Sequence, residues 1–308
     1  MWSILLSSNT QWVLLSTMIL GIAAGIMGCI SYWRKQSLMS DALSHAALPG
    51  VVIAFLLTGQ KNLFILIIGA AISALVGAFL IQWIQSSSRV TEDTAMGMIL
   101  SVFFGLGIML MTITNRTAAG NQSGLDGFIF GQAAAMVRAD VNTMMFLAIF
   151  VILVVFLGFK EWKLFLFDPD FAKGMGLSLT WMNILYTTVL VTTIVIGIQA
   201  VGVILIAALL IIPSVSARYW TESFKTMLLI SAIFGGGAGA VGTAISALGS
   251  GWPTGPFIVV VAASFFVVSL IFGKEKGVLL QYLRYRKQKK QVKQDHQLNT
   301  LALEKGVE

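Results

Sequence analysis

Two ionisable side chains in this 308-residue chain stand where packing alone gives no reason for them: Asp41 and His45, in the run SLMSDALSHAALPG. The run opens a long apolar stretch, and an ionisable group inside such a stretch is costly in lipid and marks a functional site. Their spacing of four places both side chains on one face of a helix, one turn apart, with Ser37 and Ser44 close to that face. A carboxylate and an imidazole so arranged suit a divalent cation. Carboxylate oxygen favours manganese, and imidazole extends the range to zinc and iron. The competing chemistry is an Asp–His hydrogen bond that only stabilises the helix. His45 is the sole histidine ahead of the carboxyl-terminal tail, which favours metal coordination or transport. Two ligands hold a metal weakly, as suits an ion that must leave. A two-fold dimer with this helix on its axis would bring together two Asp and two His. The imidazole must be neutral to ligate, so engagement weakens as pH falls through roughly 6.5. Pro49 and Gly50 follow, and predict a kink that frees backbone carbonyls.

Other chemistry is excluded by what the sequence lacks. A single cysteine, Cys29, gives no thiolate cluster and no intrachain disulfide. The 14 methionines are scattered like core filling, not gathered for copper(I). The remaining acids, including Glu92, Asp93, Asp126, Asp140, Glu161, Asp168, Asp170 and Glu222, fall in loops. No H-E-x-x-H supports a metalloprotease, and no G-x-x-x-x-G-K-[ST] loop supports ATP binding. ATP energy, if used, therefore comes from a partner. The alternative is a proton-coupled secondary transporter or channel, with Asp41 and His45 carrying protons.

The elements that must position the pair are membrane helices. Hydrophobic residues make up 57% of the chain and charged residues 11%, against about 45–50% and roughly 25% in soluble domains. With 33 charged side chains and a mean hydropathy of +0.88, no soluble surface can be clothed. The expected fold is an all-α integral membrane protein, a polytopic helical bundle with eight or nine transmembrane helices. A span needs about 20 apolar residues. Candidates run over 11–33, 37–58, 63–85, 94–114, 140–159, 180–198, 201–217, 225–247 and 254–272, and 201–217 is short enough to bend. The Gly-rich piece 125–136 reads as a re-entrant or interfacial half-helix. Gly21–Gly25 (GIAAG) and Gly235–Gly242 (GGGAGAVG) offer small-residue faces for close helix packing or a hinge.

Basic residues orient the bundle. A cytoplasmic carboxyl terminus puts Arg34, Lys35, Arg89, Lys160, Lys163, Lys173, Arg218 and Lys225 inside, against Lys61, Arg116 and Arg138 outside. With the tail the balance is seventeen against three. The chain divides into a transmembrane region, 1–273, and a basic cytoplasmic tail, 274–308, holding nine Lys/Arg and four Asp/Glu. A basic segment directly after a span suits anionic lipid better than nucleic acid. Arg34 is the first charge, so no basic secretory leader is expected.

SLMSDALSHAALPGVVIAFLLTG at 37–59, GVILIAALLIIPSVSAR at 202–218 and PTGPFIVV at 253–260 resemble the membrane permease subunit of manganese/zinc ABC importers, the chelated-metal ABC transporter permease family. The resemblance covers roughly 11–272. It implies a permease dimer, of identical or different chains, with an ABC ATPase subunit under each copy and ATP bound there. It also implies an extracytoplasmic metal-binding lipoprotein, a bacterial cell membrane location and no permanently bound cofactor. Manganese(II) is the first expectation for the transported ion, then zinc or iron. Asp41 and His45 match the family's translocation-path residues. The stretch PSVSARYW, with Pro213, Ser214, Ser216, Arg218, Tyr219 and Trp220, resembles the cytoplasmic coupling helix that engages the ATPase. The loop DPDFAKGMG at 168–176 resembles a cytoplasmic segment beside that interface.

Overall fold

The computed structural model describes residues 8–59, 62–117, 131, 136–249, 252–282, 284–286, 288, 289 and 291. Among them the regular structure is helical. Eleven helices follow in order: α1 (Ser8–Trp33), α2 (Ser37–Thr58), α3 (Leu63–Ser87), α4 (Glu92–Thr117), α5 (Arg138–Leu157), α6 (Phe159–Phe167), α7 (Pro169–Gly174), α8 (Leu179–Val201), α9 (Val203–Arg218), α10 (Phe224–Leu248) and α11 (Thr254–Phe272). Eight are long and apolar enough to cross a bilayer; α6, α7 and α9 are not. The piece 125–136 lies outside the described residues, apart from Gly131 and Met136.

One end of the bundle gathers the cations. There Arg34, just past α1, reaches Asn183 on α8, and Gln36 reaches Glu92 on α4. Trp33 meets Arg218 from α9 and Phe167 from α6, while the Tyr219 carbonyl accepts from the residues after α11. These contacts fix the alternation of the helices. The 16 residues of α9, about 24 Å long, run from the far end back to this basic end. It is separated from α8 only by Gly202, at φ 97°. The short ninth segment is thus a distinct helix after a break, as its length suggests.

Small residues draw the helices together. A Cβ on Gly21 would lie 2.1 Å from the Gly235 carbonyl oxygen, and one on Gly25 would lie 2.4 Å from that of Ser231. The two glycine-rich stretches are therefore the two sides of one seam between α1 and α10. Polar groups within it are satisfied across the seam: Ser231 Oγ donates to the Gly25 carbonyl at 2.7 Å, and the Thr17 and Thr243 hydroxyls pair at 2.8 Å. In lipid no hydrophobic force drives helices together, so close backbone contact and such bonds carry the association.

The α1–α2 connection is short. Lys35 takes a left-handed conformation, φ 60°, and Gln36 N–H bonds the Ser31 carbonyl while Lys35 N–H bonds that of Tyr32. This is a Schellman-type cap with lysine where glycine is usual. It aims Arg34 inward and starts α2 at once.

Candidate functional site

Helix α2 lies between α3 and α4, and each holds it by small residues. A Cβ on Gly50 would meet the Gly69 carbonyl of α3 at 2.1 Å, and one on Gly107 of α4 would meet Leu48 at 2.4 Å. Ser73 of α3 donates to the Ala46 carbonyl at 2.7 Å. The helix runs unbroken through Pro49 to Thr58. Proline removes the N–H that would bond the His45 carbonyl, so backbone polarity is released beside the site with the helix still continuous.

Asp41 and His45 face each other along α2, with Nε2 3.6 Å from Oδ1. By rise per residue they lie about 6 and 12 Å from the helix start at the basic end. The His45 side chain is 12% exposed and that of Asp41 36%. His45 meets Phe104 of α4 edge-to-face, with ring centroids 4.8 Å apart, and its Nδ1 is buried without a hydrogen-bond partner among the described residues. A Nε2–Oδ1 distance of 3.6 Å is too long for a good hydrogen bond, which needs about 2.7–3.2 Å. It does fit two ligands of one cation. Bonds of about 2.0–2.2 Å put the donor atoms about 3.3–3.6 Å apart at the tetrahedral angle of a zinc site and about 2.8–3.1 Å apart at the octahedral angle usual for manganese, so the pair as it stands is at the wide end of the range and would close by about 0.5 Å on manganese. Ser44 is not available as a third ligand: it is buried and its hydroxyl donates to the Asp41 carbonyl at 2.8 Å. Among the described residues no group of three or more His, Cys, Asp and Glu gathers at one place.

Nearby at the same end is a polar cavity of about 140 Å³, lined by Arg34, Gln36, Gln82, Gln85, Glu92 and Asn183 among others. Arg34 donates Nε to Gln36 and Nη1 to Asn183, each at 2.8 Å. Its guanidinium also sits over the rings of Tyr186 and Phe165, at 4.5 and 4.8 Å. Burial pushes its pKa down, opposed by Tyr186 and Glu92. Gln36 carries the link on to Glu92. Neither this network nor Phe104 has a signature in the sequence, since Asn183 stands 149 residues from Arg34.

The stretch 213–220 divides into two parts. Pro213, Ser214 and Ser216 are buried, and both hydroxyls bond carbonyls of their own helix. Arg218, Tyr219 and Trp220 are partly exposed at the basic end. Arg218 holds the Thr221 carbonyl at 2.9 Å and pairs with Glu222 at 3.3 Å, and Trp220 Nε1 donates to Ser269 at 2.9 Å. In the 168–176 loop, Asp168 accepts from Phe171 N–H at the start of α7. Phe171 and Met175 project exposed, 54% and 64%.

The model of the ABC 3 transport family matches residues 7–273. The chain belongs to the ABC 3 transport family. Within it, the chain is 44% identical to the manganese transport system membrane protein MntC of Bacillus subtilis over 92% of its own length. It spans about 65% of the length of that relative. It is 42% identical to the zinc transport system membrane protein TroC of Treponema pallidum, covering 90% of this chain and 93% of the relative. The solved structure of PsaBC from Streptococcus pneumoniae in complex with Fab contains a similar chain, at TM-score 0.78 and 33% identity, covering 91% of this chain and 95% of that one. The eight spans and the family together make this a multi-pass membrane protein of the ABC importer permease type.

Proposed function

We propose that this chain is the membrane subunit of an ATP-driven importer of a divalent transition-metal ion, with manganese(II) as first cargo and zinc or iron as alternatives. The observation that carries the reading is the 3.6 Å carboxylate–imidazole separation one turn apart within a membrane helix. Manganese is favoured because the relative that is 44% identical bears manganese in its name, while the zinc relative follows at 42%. The seventeen-to-three basic asymmetry puts the cation-rich end and the tail in the cytoplasm. Asp41 and His45 then lie in the inner half of the path, a step from which the ion is released inward. Each exchanges for part of the ion's water as it passes, and neither binds firmly alone.

The partners this requires are an ABC ATPase, an extracytoplasmic metal-binding lipoprotein and a second permease copy whose α2 brings a second Asp–His pair. ATP is bound and hydrolysed on the ATPase, and the permease performs no catalysis. For the ATPase contact, the partly exposed Arg218, Tyr219 and Trp220 form one part, and the exposed Phe171 and Met175 of the 168–176 loop supply an apolar knob. Pro213, Ser214 and Ser216 act from inside by keeping α9 packed.

Proteoliposomes decide the energy source. With permease, ATPase and binding protein present, inward ⁵⁴Mn²⁺ transport should require ATP. Uptake by permease alone under a proton gradient would replace this reading with proton-coupled transport. Competition by zinc and ferrous ions in the same vesicles ranks the cargo.

A further inference from the structure

Beyond α11 the chain does not run straight on. The N–H groups of Glu275 and Lys276 donate to the Tyr219 carbonyl, at 2.9 and 3.4 Å, fastening the start of the tail to the end of α9. Gly277 closes a tight turn on Gly273: a Cβ there would lie 2.3 Å from the Gly273 carbonyl oxygen. Arg284 Nη2 then reaches back to the Lys274 carbonyl at 3.3 Å. In one continuous helix the backbones of these residues would stand about 15 Å apart, beyond what one side chain spans. After the turn the chain is helical again at 278–282, 284–286, 288 and 289.

This second helix is amphipathic and largely bare. Val278, Tyr282 and Tyr285, at i, i+4 and i+7, form one stripe, and all three are exposed, with Leu279 beside them. Leu280, on the opposite side, is only partly exposed. Arg286 lies beside the stripe, with its guanidinium over the Tyr282 ring at 4.8 Å, and Lys289 continues the stripe one turn further on, while Arg284 stands on the far side, where it holds the Lys274 carbonyl. Three properties select the occupant. The stripe is apolar with tyrosine hydroxyl tips, the pattern of a membrane–water interface. Basic groups stand beside it and at its end, which complements anionic headgroups. It begins five residues after a membrane span, so a lipid surface lies next to it whatever else binds.

We propose that residues 278–282, 284–286, 288 and 289 lie as an interfacial helix on an anionic lipid surface, with Val278, Tyr282 and Tyr285 at the headgroup–acyl boundary and Arg286 and Lys289 on lipid phosphates. The turn that leads into it is bonded to the Tyr219 carbonyl through Glu275 and Lys276, so the lipid-bound helix also braces the end of α9.

The test uses the full chain in nanodiscs, with hydrogen–deuterium exchange read on peptides covering 278–289. Phosphatidylcholine discs are compared with discs containing about one-third phosphatidylglycerol. Each basic side chain near an anionic surface strengthens association about five-fold. Exchange should slow at least ten-fold in the anionic discs. The double variant Arg286→Gln and Lys289→Gln should lose that difference while its transmembrane peptides exchange as before. The pair Tyr282→Ser and Tyr285→Ser should weaken protection in both discs. Equal exchange in the two lipids overturns the proposal. So does protection that appears only on adding the ATPase, which would assign the stripe to a protein partner.

Discussion

Replacing Asp41 by asparagine separates a ligand from a structural hydrogen bond. At 3.6 Å from Nε2 the carboxylate gives little as a hydrogen-bond acceptor. A structural role would be worth at most about 1 kcal/mol, which for a protein of this size moves a melting temperature by about 2–4 °C. A ligand role is larger. Even groups that only orient a metal's ligands are worth about 10–100-fold, and a direct ligand should exceed that, so turnover should fall by at least about 100-fold. Asparagine keeps the shape and one oxygen but removes the charge. Glutamate keeps the charge but carries the oxygens out by about 1.5 Å, past the tetrahedral edge that 3.6 Å describes. Both variants should therefore fail, which is not the order that charge alone or shape alone predicts.

The assay is ATP-driven ⁵⁴Mn²⁺ uptake by the complete transporter in proteoliposomes, with turnover and half-saturation fitted separately. Half-saturation reports capture by the binding protein and should stay put. Assembly with the ATPase, followed by size-exclusion chromatography, should be unchanged. Transport within two-fold of normal by Asp41→Asn, with a melting temperature lowered by a few degrees, would show that the pair is a helix staple and that the cation passes elsewhere.

Three further outcomes follow from the geometry. Gly21→Val should collapse the α1–α10 seam, because its Cβ meets a carbonyl oxygen at 2.1 Å, whereas Gly97→Ala and Gly105→Ala on α4 meet nothing within 4 Å among the described residues and should melt like the parent. Overpacking of this kind costs about 1–3 kcal/mol or more, and thermal unfolding of detergent-purified protein measures it. Arg34→Lys should destabilise nearly as much as Arg34→Gln, since one ammonium cannot serve Gln36, Asn183 and two aromatic rings as the planar fork does; full stability in the lysine variant would reduce Arg34 to a bare charge. Phe171→Asp should weaken capture of the ATPase with the permease's own melting temperature unchanged, and Arg218→Ala should leave ATP hydrolysis running without transport while lowering that temperature, because the Trp33, Thr221 and Glu222 contacts go with it; normal coupling in both removes these surfaces from the interface.

The spans were legible because a bilayer imposes length and apolarity on each segment, and the boundaries of α1 to α4 and of α8 to α11 fall within three residues of the apolar runs. The glycine stretches announced close packing, but not that Gly21 packs on Gly235. Period and composition describe one helix at a time, and this contact joins residues more than two hundred positions apart. The Asp–His pair was visible since both members lie on one turn. Phe104, one of 20 phenylalanines, was not, because only the crossing of α4 over α2 brings it to His45. In 213–220 the sequence shows hydroxyls and a proline but cannot show that the Ser214 and Ser216 hydroxyls are spent on the Ile211 and Ile212 carbonyls. Their inward placement follows from α9 packing among α1, α10 and α11.

The placement of Arg34 bears on the proposed role of Asp41 as a cation ligand. Both stand at the basic end, seven residues apart, and a guanidinium is the natural partner of a carboxylate. An Arg34–Asp41 pair would neutralise the group that the ion needs and would make it compete with a tethered cation. Among the described residues the ion pairs are Asp41–His45 and Arg218–Glu222, and Arg34 is in neither. Its donors instead go to the amide oxygens of Gln36 and Asn183, and its face is covered by Phe165 and Tyr186. The left-handed turn at Lys35 makes this possible by ending α1 and starting α2 within three residues, which directs Arg34 toward α8. The positive charge is thereby held against neutral dipoles and aromatic rings, with Glu92 reached only through Gln36. Among the described residues, Asp41 is thereby left without a guanidinium or ammonium partner, and the titratable group beside it is the His45 imidazole.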